Sequence, residues 1–393
     1  MNPILLSDQI VSILNDIRPE KKDFLPLHEP TFQGNEWNYV KECIDTGWVS
    51  SVGKYVDQFE SMLQEYIGVK KAIAVVNGTA ALHISLLLAG VEKEDEVLIP
   101  TFTFIATANA VTYCGAIPHF VDSDMDTLGL DPKKLAFYLQ EIADVKPEGC
   151  FNKQTGRRIK AVVPMHTFGH PVDLDRLLEV CESFNLVLVE DAAESLGSMY
   201  KGKHTGNWGK VSALSFNGNK VVTTGGGGAI LTNDEQLGKL AKHLTTTAKQ
   251  PHKWAFVHDQ VGFNYRMPNI NAALGCAQLE MLPSLIEQKR ALAKIYQHAL
   301  QHVQGVQFIT EPREAHSNYW LHAILLDQEN VAVRDDILEK TNQQGLMTRP
   351  VWSLLHKAQM FIDSPKMDLS VAESLEKRII NIPSSPYLGV DYV

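Results

Sequence analysis

The chain has 393 residues, 45% of them hydrophobic and 21% charged, and carries a formal net charge of −10. That is globular composition, long enough for one large domain and a smaller one, and its acidic balance argues against a general nucleic-acid binder. Five scattered cysteines (Cys43, Cys114, Cys150, Cys181, Cys276) form no C-x-x-C pair, so neither a disulfide framework nor a zinc site is expected and a reducing cytoplasm fits.

No apolar run approaches the ~18 residues of a membrane span, and MNPILLSDQI lacks the basic-then-apolar pattern of a signal peptide. The expectation is a soluble, cytoplasmic protein with no membrane partner.

In chain order, residues 1–35 read as an N-terminal helix and an extended arm that packs on something else. From about residue 70, β-rich runs alternate with helical patterns: AIAVV then TAALHISLLLAG, EVLIP then FIATANAVTYCG, IPHFVD then DPKKLAFYLQEI. The rhythm continues through IKAVVPM, DLDRLLEVCESF, LVLVEDA, SALSF and GAILT, ending in the amphipathic EQLGKLAKHLTT. This βαβ alternation predicts an α/β fold, a mostly parallel sheet of about seven strands with helices on its faces. The polar segment between Ala143 and Arg158 is expected as a surface excursion. Near residue 275 the character changes to a long charged helix over 281–303 and then to further α/β segments. Residues 36–275 are thus expected to form the large domain and residues 276–393 a smaller C-terminal one.

Ligands of a parallel α/β sheet gather at the carboxyl ends of its strands, so the residues just after each strand are the candidates. In NGTAALH, Gly78 permits close backbone approach and Thr79 opens a helix whose N-terminus suits an anion; a plain helix cap after a turn glycine is the alternative. LVLV runs into Glu190, Asp191 and Glu194. These acids read either as a solvated loop start or as a buried strand-end carboxylate that needs a cation.

SFNGNKVVTTGGGG, residues 215–228, sets Lys220 just past an apolar strand. No G-K-[ST] follows, so the stretch is not a P-loop, and its β-branched flanks predict a strand-turn-strand unit rather than a linker. Lys220 is then either an exposed loop residue or a buried amine suited to a Schiff base. His166 and His170 in MHTFGHP have a four-residue spacing, but Gly169 and Pro171 keep them off a regular helix and no third ligand is evident. We expect no metal there, only a strand-end loop at the mouth of a site.

A helix-start anion site, a strand-end Asp and Ser-x-x-x-x-Lys, in that chain order, resemble a pyridoxal phosphate enzyme of the aspartate aminotransferase fold (fold type I). More specifically, NGTAALH, PTFTFIATANAV, VEDAAESLGS, SFNGNK, GGGGAILT and GFNYRMPNINAALG resemble the DegT/DnrJ/StrS family of nucleotide-sugar aminotransferases, from about Leu27 to the last residue. LHEPTFQGNE, GWVSSVGKYVDQFE, VPMHTFGHP and HLTTTAK are similar to its LegC-type subgroup, associated with bacillosamine and legionaminic acid biosynthesis.

The resemblance implies roles. Lys220 would be the Schiff-base lysine, and Asp191 the partner of the cofactor's pyridinium nitrogen. Phe104 would cover the pyridine face. Gly78, Thr79 and Ser215 would hold the phosphate, with Asn264 reaching the phosphate of a neighbouring subunit, which implies a homodimer with shared active sites. Many relatives have Gln or His where this chain has Glu194, near the cofactor O3′, and a carboxylate there is unfavourable unless protonated or turned away. The implied acceptor is a nucleotide-linked 4-keto-6-deoxy sugar, UDP-linked with a 2-acetamido group, and the implied amino donor is glutamate. Arg266, Lys249 and Arg349 are candidates for the pyrophosphate, and Trp48 and Ser51 for the sugar. A cofactor-dependent sugar dehydratase or lyase would share this shell, whereas a non-catalytic regulator predicts loss of Lys220 or Asp191, and both are present.

Overall fold

The strand Glu96–Pro100 is buried along its whole length, as an unbroken EVLIP run requires of a strand covered on both faces. In the computed structural model, which describes residues 3–20 and 22–392, it belongs to a large sheet. The strands run in the order Lys71–Val75, Gly228–Thr232, Val211–Ser215, Val187–Asp191, Arg158–Val162, Glu96–Pro100, Ile117–Val121. Gly228–Thr232 is antiparallel to both neighbours, and the other pairings along this path are parallel. An antiparallel strand between two others leaves those two pointing the same way. Val75, Pro100, Asp191 and Ser215 therefore end at one edge of the sheet.

The stretch expected as a surface excursion takes the form of a hairpin, Ala143–Lys146 with Gly149–Asn152, whose second strand pairs with Arg158–Val162 and brings the sheet to nine strands. A buried acid explains it: Glu96 is fully buried and accepts from Asn152 Nδ2 at 2.9 Å and Thr155 Oγ1 at 2.6 Å. Three of the flanking helices start where the sequence places an Asp, with Asp131, Asp173 and Asp234 accepting backbone N–H groups of the first turn.

The helix expected over 281–303 starts earlier, at Asn269, and runs to Leu300, so the expected division at 275/276 falls inside a continuous helix. Beyond it, Val306–Phe308, His322–Leu326, Ile379–Ile382 and Arg349–Pro350 form a four-stranded antiparallel sheet. The N-terminal helix Pro3–Ile17 packs on this smaller unit, with Leu6, Ile10 and Leu14 buried beside Leu292, Tyr296, Ile324 and Ile337. Each such leucine or isoleucine contributes roughly 1.5–3 kcal/mol by burial. No helix among the described residues is long and apolar enough to cross a membrane.

Candidate active site

Asn77 starts the helix Gly78–Leu88 by accepting the Ala80 N–H on its side-chain oxygen at 2.8 Å. That bond leaves the amides of Gly78 and Thr79 at the head of the helix, where peptide dipoles favour an anion. Glycine is required on both sides of this point. A Cβ on Gly78 would lie 2.8 Å from Ser215 Cβ, and one on Gly228 would lie 2.5 Å from the Asn77 backbone. Gly228, the last glycine of the 215–228 stretch, thus lets the returning strand press against the helix start.

Between those strands, SFNGNK forms a tight turn closed by Lys220 N–H to Asn217 O at 3.0 Å and Phe216 N–H to Gly227 O at 2.8 Å. Lys220 points inward with 13% of its side chain exposed, 3.5 Å from Glu194 Oε1, and its Nζ lies 3.7 Å from the centre of the Trp320 ring. Burial lowers its pKa, against the opposing pull of Glu194 and Asp191. Lys220 is the buried amine of the two readings left open by the sequence.

Asp191 is 3% exposed. It accepts from Thr107 Oγ1 at 2.7 Å and from Ala193 N–H at 3.2 Å, but burial outweighs these donors and raises its pKa. A carboxylate so placed still favours a cation. Glu194, three residues on, is also buried, and its pKa is pushed up to about 7 by burial, against Lys220 and the Phe168 N–H that it accepts at 2.9 Å.

A cavity of about 360 Å³ brings together Gly78, Thr79, Phe104, Asp191, Glu194, Ser215 and Lys220. Phe104 is half exposed at the start of the helix Ile105–Tyr113, edge-on to Trp352. Sequence reasoning missed Trp320 and Trp352, which complete the wall from the smaller unit, and Asn217, Asn219 and Met165. It also missed Thr107, the donor to Asp191; its place in the helix after PTFTF was the available signal.

The remaining candidates lie outside this cavity in the protomer. Trp48 is more than half exposed and borders a separate depression with Cys43, Tyr55 and Asn269, with Ser51 in the same turn of chain. Lys249 sits over the Phe256 ring at 4.0 Å, and Arg349 bonds Asn342 Oδ1 at 3.1 Å. Arg266 donates twice to Asn264 Oδ1, at 3.1 and 2.9 Å, on an exposed stretch beside the end of Lys71–Val75.

The histidines of MHTFGHP do not line the mouth. Both are buried, because the loop turns inward at Phe168 (φ 57°) beneath Asn318 and Tyr319. His166 Nε2 faces Glu190 at 3.1 Å. Glu190 also accepts the backbone N–H groups of Gly206, Trp208 and Gly209, so it is a structural anchor rather than a solvated loop start. No group of three or more His, Cys, Asp or Glu among the described residues is placed to hold a metal.

Pyridoxal phosphate fits this donor set: free amides at a helix start for the phosphate, a buried undercompensated carboxylate for the ring nitrogen, and a buried amine of lowered pKa for the aldehyde. When bound, the cofactor supplies the electron sink for moving an amino group between carbons.

The model of the DegT/DnrJ/EryC1/StrS aminotransferase family matches residues 30–393. The chain belongs to that family. GDP-perosamine synthase of Escherichia coli O157:H7 is 37% identical over 372 residues, 94% of this chain and 96% of that protein. EpsN of Bacillus subtilis, whose name describes a pyridoxal phosphate-dependent aminotransferase, is 37% identical over 369 residues, 93% and 92% of the two chains. Among solved structures, DesI with its TDP-sugar product superposes with a TM-score of 0.83 at 27% identity, covering 97% of this chain and 93% of that one. The fold is accordingly fold type I, and the enzyme is a pyridoxal phosphate-dependent aminotransferase.

Proposed function

We propose that the substrate of this sugar aminotransferase is a nucleotide-linked 4-keto-6-deoxy sugar and that Lys220 is its Schiff-base lysine. The observation that carries the reading is the convergence of Lys220, Asp191 and Glu194 in one cavity at the head of the helix Gly78–Leu88. Lys220, with its lowered pKa, would hold the cofactor aldehyde and supply the amine that carries protons at the reacting carbon. Asp191 would pair with the ring nitrogen and keep it protonated, and Phe104 would cover the ring. Gly78, Thr79 and Ser215 hold the phosphate. Nitrogen passes from glutamate, which leaves as its 2-oxo acid, to the ketone carbon of the sugar.

Two relatives support a nucleotide-linked acceptor, the GDP-perosamine synthase and DesI with its TDP-sugar. The LegC-type resemblance favours a UDP-linked 2-acetamido sugar in bacillosamine or legionaminic-type amino-sugar biosynthesis, in the cytoplasm and toward surface glycans. The GDP-perosamine synthase name supports a GDP-linked sugar as the second reading. We assign Arg266, Lys249 and Arg349 to the pyrophosphate and Trp48 and Ser51 to the sugar, in a site completed by a second subunit. Phe256, whose ring faces Lys249, and Trp254, beside Lys253, are 80% and 78% exposed and offer apolar surface suited to that contact.

The test has two arms. Borohydride reduction of the loaded enzyme and peptide mapping must label Lys220, and a label on another lysine sinks the assignment. Turnover with glutamate is then compared across UDP-, GDP- and TDP-linked 4-keto sugars, with products identified by mass. An aminated UDP sugar is expected; preference for the GDP sugar selects the second reading, and release of ammonia or water without amination makes the enzyme a lyase.

A further inference from the structure

Lys220 is approached from three directions. Glu194 and Asp191 reach it from the sheet end. His28, on the N-terminal arm, lies against Asn219 and Lys220, and burial keeps it neutral. Trp320 comes from the smaller unit, its ring centre 3.7 Å from Lys220 Nζ and its Nε1–H donating to Asn219 O at 2.7 Å.

Trp320 is itself fixed. Its backbone N–H donates to Asn318 Oδ1 at 2.8 Å, and Asn318 Nδ2 donates to the carbonyls of Glu194 and Leu196, both at 2.9 Å. A Cβ on Gly169 would strike Asn318, so this segment is seated too closely to slide. The short run Asn318–Trp320 thus ties the backbone of Glu194 and the turn that carries Lys220 to the smaller unit.

We propose that Trp320 is a positioning residue: its ring face seats the ammonium of Lys220 whenever that amine is free, and its Nε1–H fixes the Asn219–Lys220 peptide. An indole face attracts a cation through its quadrupole, most strongly where water is excluded. The amine is thereby held over one ring, close to Glu194, between the occasions on which it bonds the cofactor. Desolvation drives the charge off Lys220, while Trp320 and Glu194 favour keeping it, so the amine is held between a reactive and a stored state. The proposal rests on the assignment of Lys220 above.

The test reads the free amine rather than turnover. Full-length protein stripped of cofactor is treated with an amine-reactive aryl fluoride across a pH series, and modification of Lys220 is followed by peptide mass spectrometry. Loss of the ring face removes a stabiliser of the charged form, so Trp320→Leu should move the midpoint of reactivity down by about 0.5–1.5 pH units. Trp320→Phe keeps a ring face without the Nε1–H and should stay closer to the wild-type midpoint. Should Trp320→Leu not fold, Trp320→Met takes its place. Unmoved midpoints in folded variants, or equal shifts for the aromatic and aliphatic replacements, overturn the proposal. A borohydride map labelling another lysine in the wild type would instead sink the site assignment, so the two failures are distinguishable.

Discussion

Glu194 divides its two oxygens between the catalytic lysine candidate and the backbone: Oε1 lies 3.5 Å from Lys220 Nζ, and Oε2 accepts the Phe168 N–H at 2.9 Å. This relationship answers the objection to a carboxylate near the cofactor O3′. With its pKa pushed up to about 7, the group is readily protonated near neutral pH, and one oxygen is already committed to Phe168.

A buried acid with a raised pKa binds protons more tightly folded than unfolded. Its contribution to stability is fully present below its ordinary value of 4.5 and is lost as pH rises through about 7. Cofactor-free wild-type protein should therefore lose melting temperature over that interval. Glu194→Gln, neutral throughout, should flatten that part of the profile while keeping an acceptor for Phe168. Thermal melts of both proteins across the range check it, and parallel profiles would place the titration elsewhere.

Thr107 and Asp191 give a second prediction. Asp191→Asn keeps the shape but removes a charge-assisted contact worth roughly 1.5–3 kcal/mol, and turnover should fall by orders of magnitude with a smaller loss of cofactor affinity. Thr107→Val removes the 2.7 Å donor to Asp191 and makes the carboxylate costlier to keep ionised. Its turnover should fall about 5- to 15-fold, for a net ~1–1.5 kcal/mol hydrogen bond. Steady-state rates at saturating cofactor check both; near-normal rates in Asp191→Asn would show that the ring-nitrogen proton is held by another group.

The sheet was legible because short β-rich runs alternate with helical segments along most of this stretch, and some strands run straight into polar residues, as in LVLV followed by Glu190 and Asp191. The hairpin at Ala143–Asn152 was not, since its role is to satisfy Glu96, a partner distant in sequence. The same limit hid Trp320 and Trp352. They reach the cavity only because the smaller unit folds back onto the strand ends, and nothing local in NYWLHA or RPVW carries that information. Lys220, Asp191 and Gly78, which the structure brings to one cavity, were readable as candidates because each is marked by local position: a residue after a strand, or a glycine before a helix.

Gly78→Ala should separate folding from cofactor binding. The new Cβ would meet Ser215 Cβ at 2.8 Å, so the head of the helix must shift away from Ser215, the residue proposed to complete the phosphate site. We expect a folded protein whose pyridoxal phosphate dissociation constant rises at least about tenfold, the equivalent of ~1.4 kcal/mol. Spectrophotometric titration of the cofactor-free variant checks this, and unchanged affinity would move the phosphate site elsewhere.

Asn264 supplies the last prediction. Arg266 occupies its Oδ1 with two N–H groups, so the side-chain amide nitrogen is what Asn264 offers to a phosphate oxygen. The pair is outside the cavity of its own protomer, and in a shared-site homodimer each Asn264 serves the neighbour's cofactor. Asn264→Asp replaces that donor with a negative acceptor and should inactivate, as should Lys220→Ala. When the two inactive variants exchange subunits, the heterodimer contains one pocket with both lesions, because the Asn264 change damages the pocket that has already lost its lysine. The other pocket has its own Lys220 and a normal Asn264 from the partner, so up to about half of native activity per heterodimer should return. Proven exchange without recovery would mean that Asn264 acts within its own chain.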